Sequence, residues 1–182
     1  MNIPNLLTIS RIFLVPVVVW LIIRGSSLAA FWVFVVAAAT DAADGYLARR
    51  WRQRTELGAY LDALADKALL VSIYVSLGMA GGIPAWLAIG VVSRDVMIVG
   101  AVILSWLLDR PLAIAPLIVS KLNTLVQIVY AAFVLGALGF HVVLGSAVFT
   151  ALAVMVALLT LVSAAAYLAS WMRHMAGWEP PR

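Results

Sequence analysis

Asp41-Ala42-Ala43-Asp44-Gly45-Tyr46-Leu47-Ala48-Arg49, followed after eight residues by Gly58-Ala59-Tyr60-Leu61-Asp62-Ala63-Leu64-Ala65-Asp66, is the stretch on which the fold turns. It holds four aspartates in a chain of 182 residues that is 65% hydrophobic and has only eight acidic residues. Carboxylates at depth in a membrane protein mark a cation, a proton path or a buried partner. Positions three or four apart share a helix face, so Asp41 pairs with Asp44 and Asp62 with Asp66. If the two segments form an antiparallel hairpin about the basic connector 50–57, Asp41 lies level with Asp66 and Asp44 with Asp62. At about 1.5 Å per residue, both pairs sit on the order of 10 Å from the helix ends.

Outward from this stretch the chain is that of an integral membrane protein. Only 11% of its residues are charged and its mean hydropathy is +1.11, against about 25% charged in a soluble domain. Six apolar segments are expected, at 6–24, 28–50, 58–79, 83–108, 117–139 and 143–172, each long enough to cross the hydrocarbon core. Gly25-Ser26-Ser27, Gly81-Gly82-Ile83-Pro84 and Arg110-Pro111 through Pro116 punctuate them. The predicted fold is all-α, a single membrane domain over residues 1–182. Arg11, the run Ile12–Ile23 and Ser27-Leu28-Ala29 imitate a cleavable signal. The polar Asn5, Thr8 and Ser10 favour retention of that segment as the first membrane helix.

The net charge of +4 does not make this a nucleic-acid binder, because the basic residues sit at the ends of apolar runs and face lipid headgroups instead. Arg49, Arg50, Arg52, Arg54, Arg110 and Arg173 fall on one side with the N-terminus, and Arg24 on the other, which places the N-terminus in the cytoplasm or its equivalent. Trp51, Trp106 and Trp171 would mark the inner interface, and Trp20, Trp32 and Trp86 the outer one. The absence of cysteine excludes a disulfide framework, a thiol nucleophile and a thiolate metal site.

Four carboxylates this close raise one another's pKa unless cations neutralise them. All-oxygen ligands suit Mg²⁺ or Mn²⁺, and a pair of such ions about 4 Å apart is suited to displacement at phosphorus. Gly45, Ala48 and Gly58 would let a phosphate-bearing ligand approach the backbone. Two alternatives remain open. One is a hairpin whose carboxylates are salt-bridged to Arg49 and Lys67; the other is a cation or proton pathway, which assigns no role to the glycines, Ala48 and Arg49.

The pattern D-x2-D-G-x2-A-R-x8-G-x3-D-x3-D at Asp41, Asp44, Gly45, Ala48, Arg49, Gly58, Asp62 and Asp66 resembles the signature of the CDP-alcohol phosphatidyltransferase family at all eight positions. The resemblance implies a six-helix bundle that transfers a phosphatidyl group from CDP-diacylglycerol to an alcohol and releases CMP. It implies two metal ions held by Asp41, Asp44, Asp62 and Asp66, with Asp66 also the general base, and a homodimer. Asn5, Thr8, Asp44, Gly45, Ala48, Arg49 and Gly58 would line the CDP site. Arg11, Arg94, Arg110, Lys121 and Asn123 would bind acceptor or phosphate.

Ile3-Pro4-Asn5-Leu6-Leu7-Thr8, Ile83-Pro84, Ser93-Arg94-Asp95-Val96-Met97 and Ser120-Lys121-Leu122-Asn123-Thr124 with Gln127 are similar to stretches of the cardiolipin-forming branch of the family. The implied acceptor is phosphatidylglycerol, with glycerol 3-phosphate as the alternative. Asn123 stands where the latter branch carries a second lysine, and Ala63 where many relatives carry proline. The implied location is a bacterial or mitochondrial inner membrane, with the site facing cytoplasm or matrix. Arg94 and Asp95 read equally as a buried structural network or as headgroup ligands, and His141 and His174 are assigned no chemistry.

Overall fold

Each apolar run forms one helix. The computed structural model describes residues 3–51, 56–108, 118–142 and 145–177, with the backbone course alone described for 3–12, 41–51 and 56–66. Among the described residues there are six helices: α1 (Ile3–Ile23), α2 (Ser27–Trp51), α3 (Glu56–Met79), α4 (Ala85–Leu107), α5 (Ile118–Gly139) and α6 (Ser146–Met175). Every boundary lies within three residues of its expected position. The stops are set by local chemistry. Gly25 and Gly81 take φ of 73° and 74°, the left-handed conformation that closes a helix and that other residues resist. The N–H of Ser26 then reaches Leu21 O at 2.9 Å, and that of Gly82 reaches Leu77 O at 2.8 Å.

Over the described residues α4, α5 and α6 are long and apolar enough to cross a membrane, and α1, α2 and α3 add the shorter apolar stretches Phe13–Ile23, Ser27–Thr40 and Lys67–Met79. The chain is an integral membrane protein in which helix is the regular secondary structure among those residues.

The helices close into a ring in the order α1, α2, α5, α6, α4, α3, with α3 and α5 meeting across it. That crossing divides the bundle into two four-helix groups that share α3 and α5. In the first, Val18, Phe34, Ile73, Leu77 and Leu135 form an apolar interior. Among the described residues α1 and α5 each pack against both α2 and α3. Close approach elsewhere depends on small residues, because hydrocarbon outside leaves packing rather than water exclusion to hold helices together. A Cβ on Gly139 would lie 2.6 Å from the Cα of Leu28, and one on Gly78 would lie 3.0 Å from the Cβ of Ala88. The second group, α3 to α6, holds the polar interior.

Candidate functional site

The eight motif positions fall on two helices. Asp41, Asp44, Gly45, Ala48 and Arg49 lie on α2, which continues to Trp51; Gly58, Asp62 and Asp66 lie on α3, which starts at Glu56. Their side chains lie outside the described residues, as do those of Asn5, Thr8 and Arg11 on α1. Arg110 is likewise outside them. Among the described residues no three acidic or histidine side chains gather to bind a metal.

The described site begins one residue beyond Asp66. Lys67 Nζ donates to Asp95 Oδ1 at 3.1 Å. Lys67 is therefore engaged with α4. Asp95 also accepts from Arg94 Nη1. Arg94 Nη2 donates to Ser120 Oγ on α5 and to Ser163 Oγ on α6 at 2.9 Å. Arg94 and Asp95 are 4% and 5% exposed and form a buried network, and Arg94 also lines a cavity between α4 and α6. Among the described residues one carboxylate serves two cations, Lys67 and Arg94.

A second set of contacts continues the seam. Thr160 Oγ1 donates to Asn123 Oδ1 and accepts from Gln127 Nε2, both at 3.1 Å. Tyr74 donates to the carbonyl of Gln127 at 3.1 Å and so ties α3 to α5. Asn123 and Gln127 are fully buried. Four buried polar atoms have no hydrogen-bond partner among the described residues: Arg94 Nε, Asn123 Nδ2, Gln127 Oε1 and Tyr167 Oη. All four belong to α4, α5 and α6. A buried donor or acceptor left unpaired costs about 1–3 kcal/mol, so their concentration in one region is what a binding chamber requires. Lys121, expected near substrate phosphate, is exposed at the start of α5.

Thr160, Ser163 and Tyr167 were not singled out in the sequence. Their spacing of three and four in an otherwise apolar helix was the available signal, since it puts them on one face of α6. Trp171, expected as an interfacial belt residue, has a more specific role. Its indole N–H donates to Ser105 Oγ at 2.9 Å and Ala101 O at 3.1 Å, fastening α6 to α4.

These features define a class: a polytopic helical membrane protein with an acidic motif on two helices and a cationic, hydroxyl-rich seam on three others. The family model for CDP-alcohol phosphatidyltransferase matches residues 1–176, and the chain belongs to that family. Human CMP-forming cardiolipin synthase is 40% identical over 156 residues, covering 77% of this chain and 52% of the human protein. The probable CMP-forming cardiolipin synthase of Drosophila melanogaster is 35% identical over 153 residues, covering 75% and 48%. The CDP-diacylglycerol–glycerol-3-phosphate 3-phosphatidyltransferase of Escherichia coli (strain K12) is 51% identical over 72 residues, covering 38% of this chain and 40% of that protein. The chain spans about half the length of the cardiolipin synthases it matches.

Proposed function

We propose that this protein transfers the phosphatidyl group of CDP-diacylglycerol to phosphatidylglycerol, forming cardiolipin and CMP at the cytoplasmic or matrix face of an inner membrane, as a homodimer of six-span subunits. The observation that carries this reading is the breadth of the likeness. A match covering 77% of the chain must extend into the second half, where the α4–α6 seam lies, whereas the glycerol-3-phosphate enzyme shares 38%. The higher identity of that shorter match favours the second reading, with glycerol 3-phosphate as acceptor.

In the proposed reaction the acceptor hydroxyl oxygen bonds to the phosphorus that carries diacylglycerol, and the bond from that phosphorus to the CMP oxygen breaks. Asp66 takes the hydroxyl proton, a task for a carboxylate within hydrogen-bond reach. Asp41, Asp44, Asp62 and Asp66 offer only oxygen donors, spaced on α2 and α3 for shared faces, and this donor set fits two Mg²⁺ or Mn²⁺ ions. When bound, such ions offset charge on the diphosphate and on departing CMP. Gly45, Ala48 and Gly58 keep the approach to the nucleotide open, with Asn5, Thr8 and Arg49 as its polar ligands. Arg11, Arg94, Arg110, Lys121 and Asn123 serve the acceptor side.

The test is CMP release by the purified protein in lipid nanodiscs with Mg²⁺ or Mn²⁺ and CDP-diacylglycerol. Release that requires phosphatidylglycerol is expected. Release that requires glycerol 3-phosphate would establish the second reading, and no release with either would end both.

A further inference from the structure

Between α4 and α6 lies a cavity of about 360 Å³, bounded by Trp86, Gly90, Met97, Ala157 and Leu161, with Arg94 among its lining residues. The flanking Trp86 and Leu161 are 52% and 65% exposed, so it opens sideways on helices that span the membrane. From Trp86 to Met97 it follows eleven residues of α4, roughly 16 Å. Of its polar members Ser93, Arg94 and Thr160, the last two belong to the seam described above, in which, among the described residues, two cations share one carboxylate and Arg94 Nε has no partner.

We propose that this slot holds one acyl chain of the acceptor phospholipid, with the lipid's phosphate drawn to Arg94. The inference rests on the reading that the acceptor is a lipid. The order of groups along the protein is then the order of groups along that lipid. Asp66 receives the proton of the headgroup hydroxyl, the Lys67–Asp95–Arg94 cluster begins at the next residue, and the apolar slot leads away from Arg94. A small dianionic acceptor has no chain for the slot. Because the chain would otherwise lie in hydrocarbon, the slot gains little from water exclusion; it acts by shape, and it sets where the headgroup falls.

Gly90 gives a test with a built-in control. A Cβ at Gly90, as at Gly100, meets no other atom within 4 Å, so Gly90→Leu fills the slot and Gly100→Leu adds the same bulk to the same helix outside it. In nanodiscs, Gly90→Leu is expected to raise KM for long-chain phosphatidylglycerol roughly tenfold, the usual scale of overfilling a fitted site. KM for CDP-diacylglycerol and for deacylated glycerophosphoglycerol should stay at the wild-type values, and Gly100→Leu should change none of them. An unchanged KM for the long-chain acceptor in Gly90→Leu overturns the slot, as does an equal rise for CDP-diacylglycerol. A second measurement needs no turnover. Phosphatidylglycerol with a photoreactive chain should label the peptides bearing Met97 and Leu161 in the wild type and lose that labelling in Gly90→Leu. Uniform labelling of all lipid-facing helices overturns the proposal. Specific labelling without CMP release would instead count against phosphatidylglycerol as the acceptor in turnover.

Discussion

Two polar regions share this bundle, and they are assembled differently. The motif on α2 and α3 puts four aspartates within 26 residues, and the seam on α4, α5 and α6 spreads Arg94, Asp95, Ser120, Asn123, Gln127, Thr160 and Ser163 over 70. In the proposed function the first gathers like charges that take cations from outside the chain. The second supplies most of its own: Asp95 answers Lys67 and Arg94, and Thr160 serves two amides. The difference teaches that an acidic motif on two helices is written as regular local spacing, whereas a network recruiting protein partners is written in the tertiary fold.

The sharpest way to break this comparison is at Asp66. Asp66→Asn keeps the size of the side chain and removes its basicity, so CMP release should fall roughly a thousandfold. Binding of CDP-lipid and the elution profile of the protein should persist. Near-normal turnover would remove Asp66 from the base role and leave the motif a binding device only.

The next largest effect should come from the seam. Asp95→Asn leaves two cations without their carboxylate, one of them on the buried Arg94, and breaking one side of a buried pair costs about 3–5 kcal/mol. A marked loss of thermal stability in detergent is expected. The double change Arg94→Met with Asp95→Leu should recover much of it, because no uncompensated buried charge remains on α4. If the double variant is as unstable as the sum of its single changes, the two residues are not coupled. The self-sufficiency of the seam would then be wrong.

Those two regions were also unequally legible. The helix boundaries followed from Gly25, Gly81 and the proline-bearing breaks, because a left-handed glycine or a missing N–H acts locally. The acidic motif was equally plain, since spacing of three and four on a helix needs no knowledge of the fold. The ring order was not, because nothing local tells α4 to lie against α6 rather than α5. For the same reason Ser163 was not singled out, and its role shows only where Arg94 reaches it from another helix. Asn123 could be set against a lysine by position, but only the fold shows it fully buried against Thr160.

Thr160→Val sharpens the contrast at smaller scale. The change keeps the shape of the side chain and deletes the hydroxyl that serves both Asn123 and Gln127. Two amide groups already short of partners are left with less, a cost of about 1–3 kcal/mol. Thermal unfolding should report it, and adding Asn123→Leu should restore part of the loss by removing one orphaned group. An unchanged melting temperature in the single variant would mean that the amides find other partners and that the α5–α6 contact is not polar in substance.

The smallest effect is expected at Trp171. Phenylalanine there keeps an aromatic ring but loses the indole N–H that reaches Ser105 and Ala101. A neutral hydrogen bond contributes about 1 kcal/mol net, so Trp171→Phe should lower stability by roughly that amount and leave KM for both substrates unaltered. Trp106 provides the comparison, since it is 74% exposed on α4 and its replacement by phenylalanine should cost less. If both tryptophan variants lose the same stability, Trp171 is an interfacial anchor of the ordinary kind, and the fastening between α4 and α6 must come from the buried face of Val91, Arg94 and Ser163 alone.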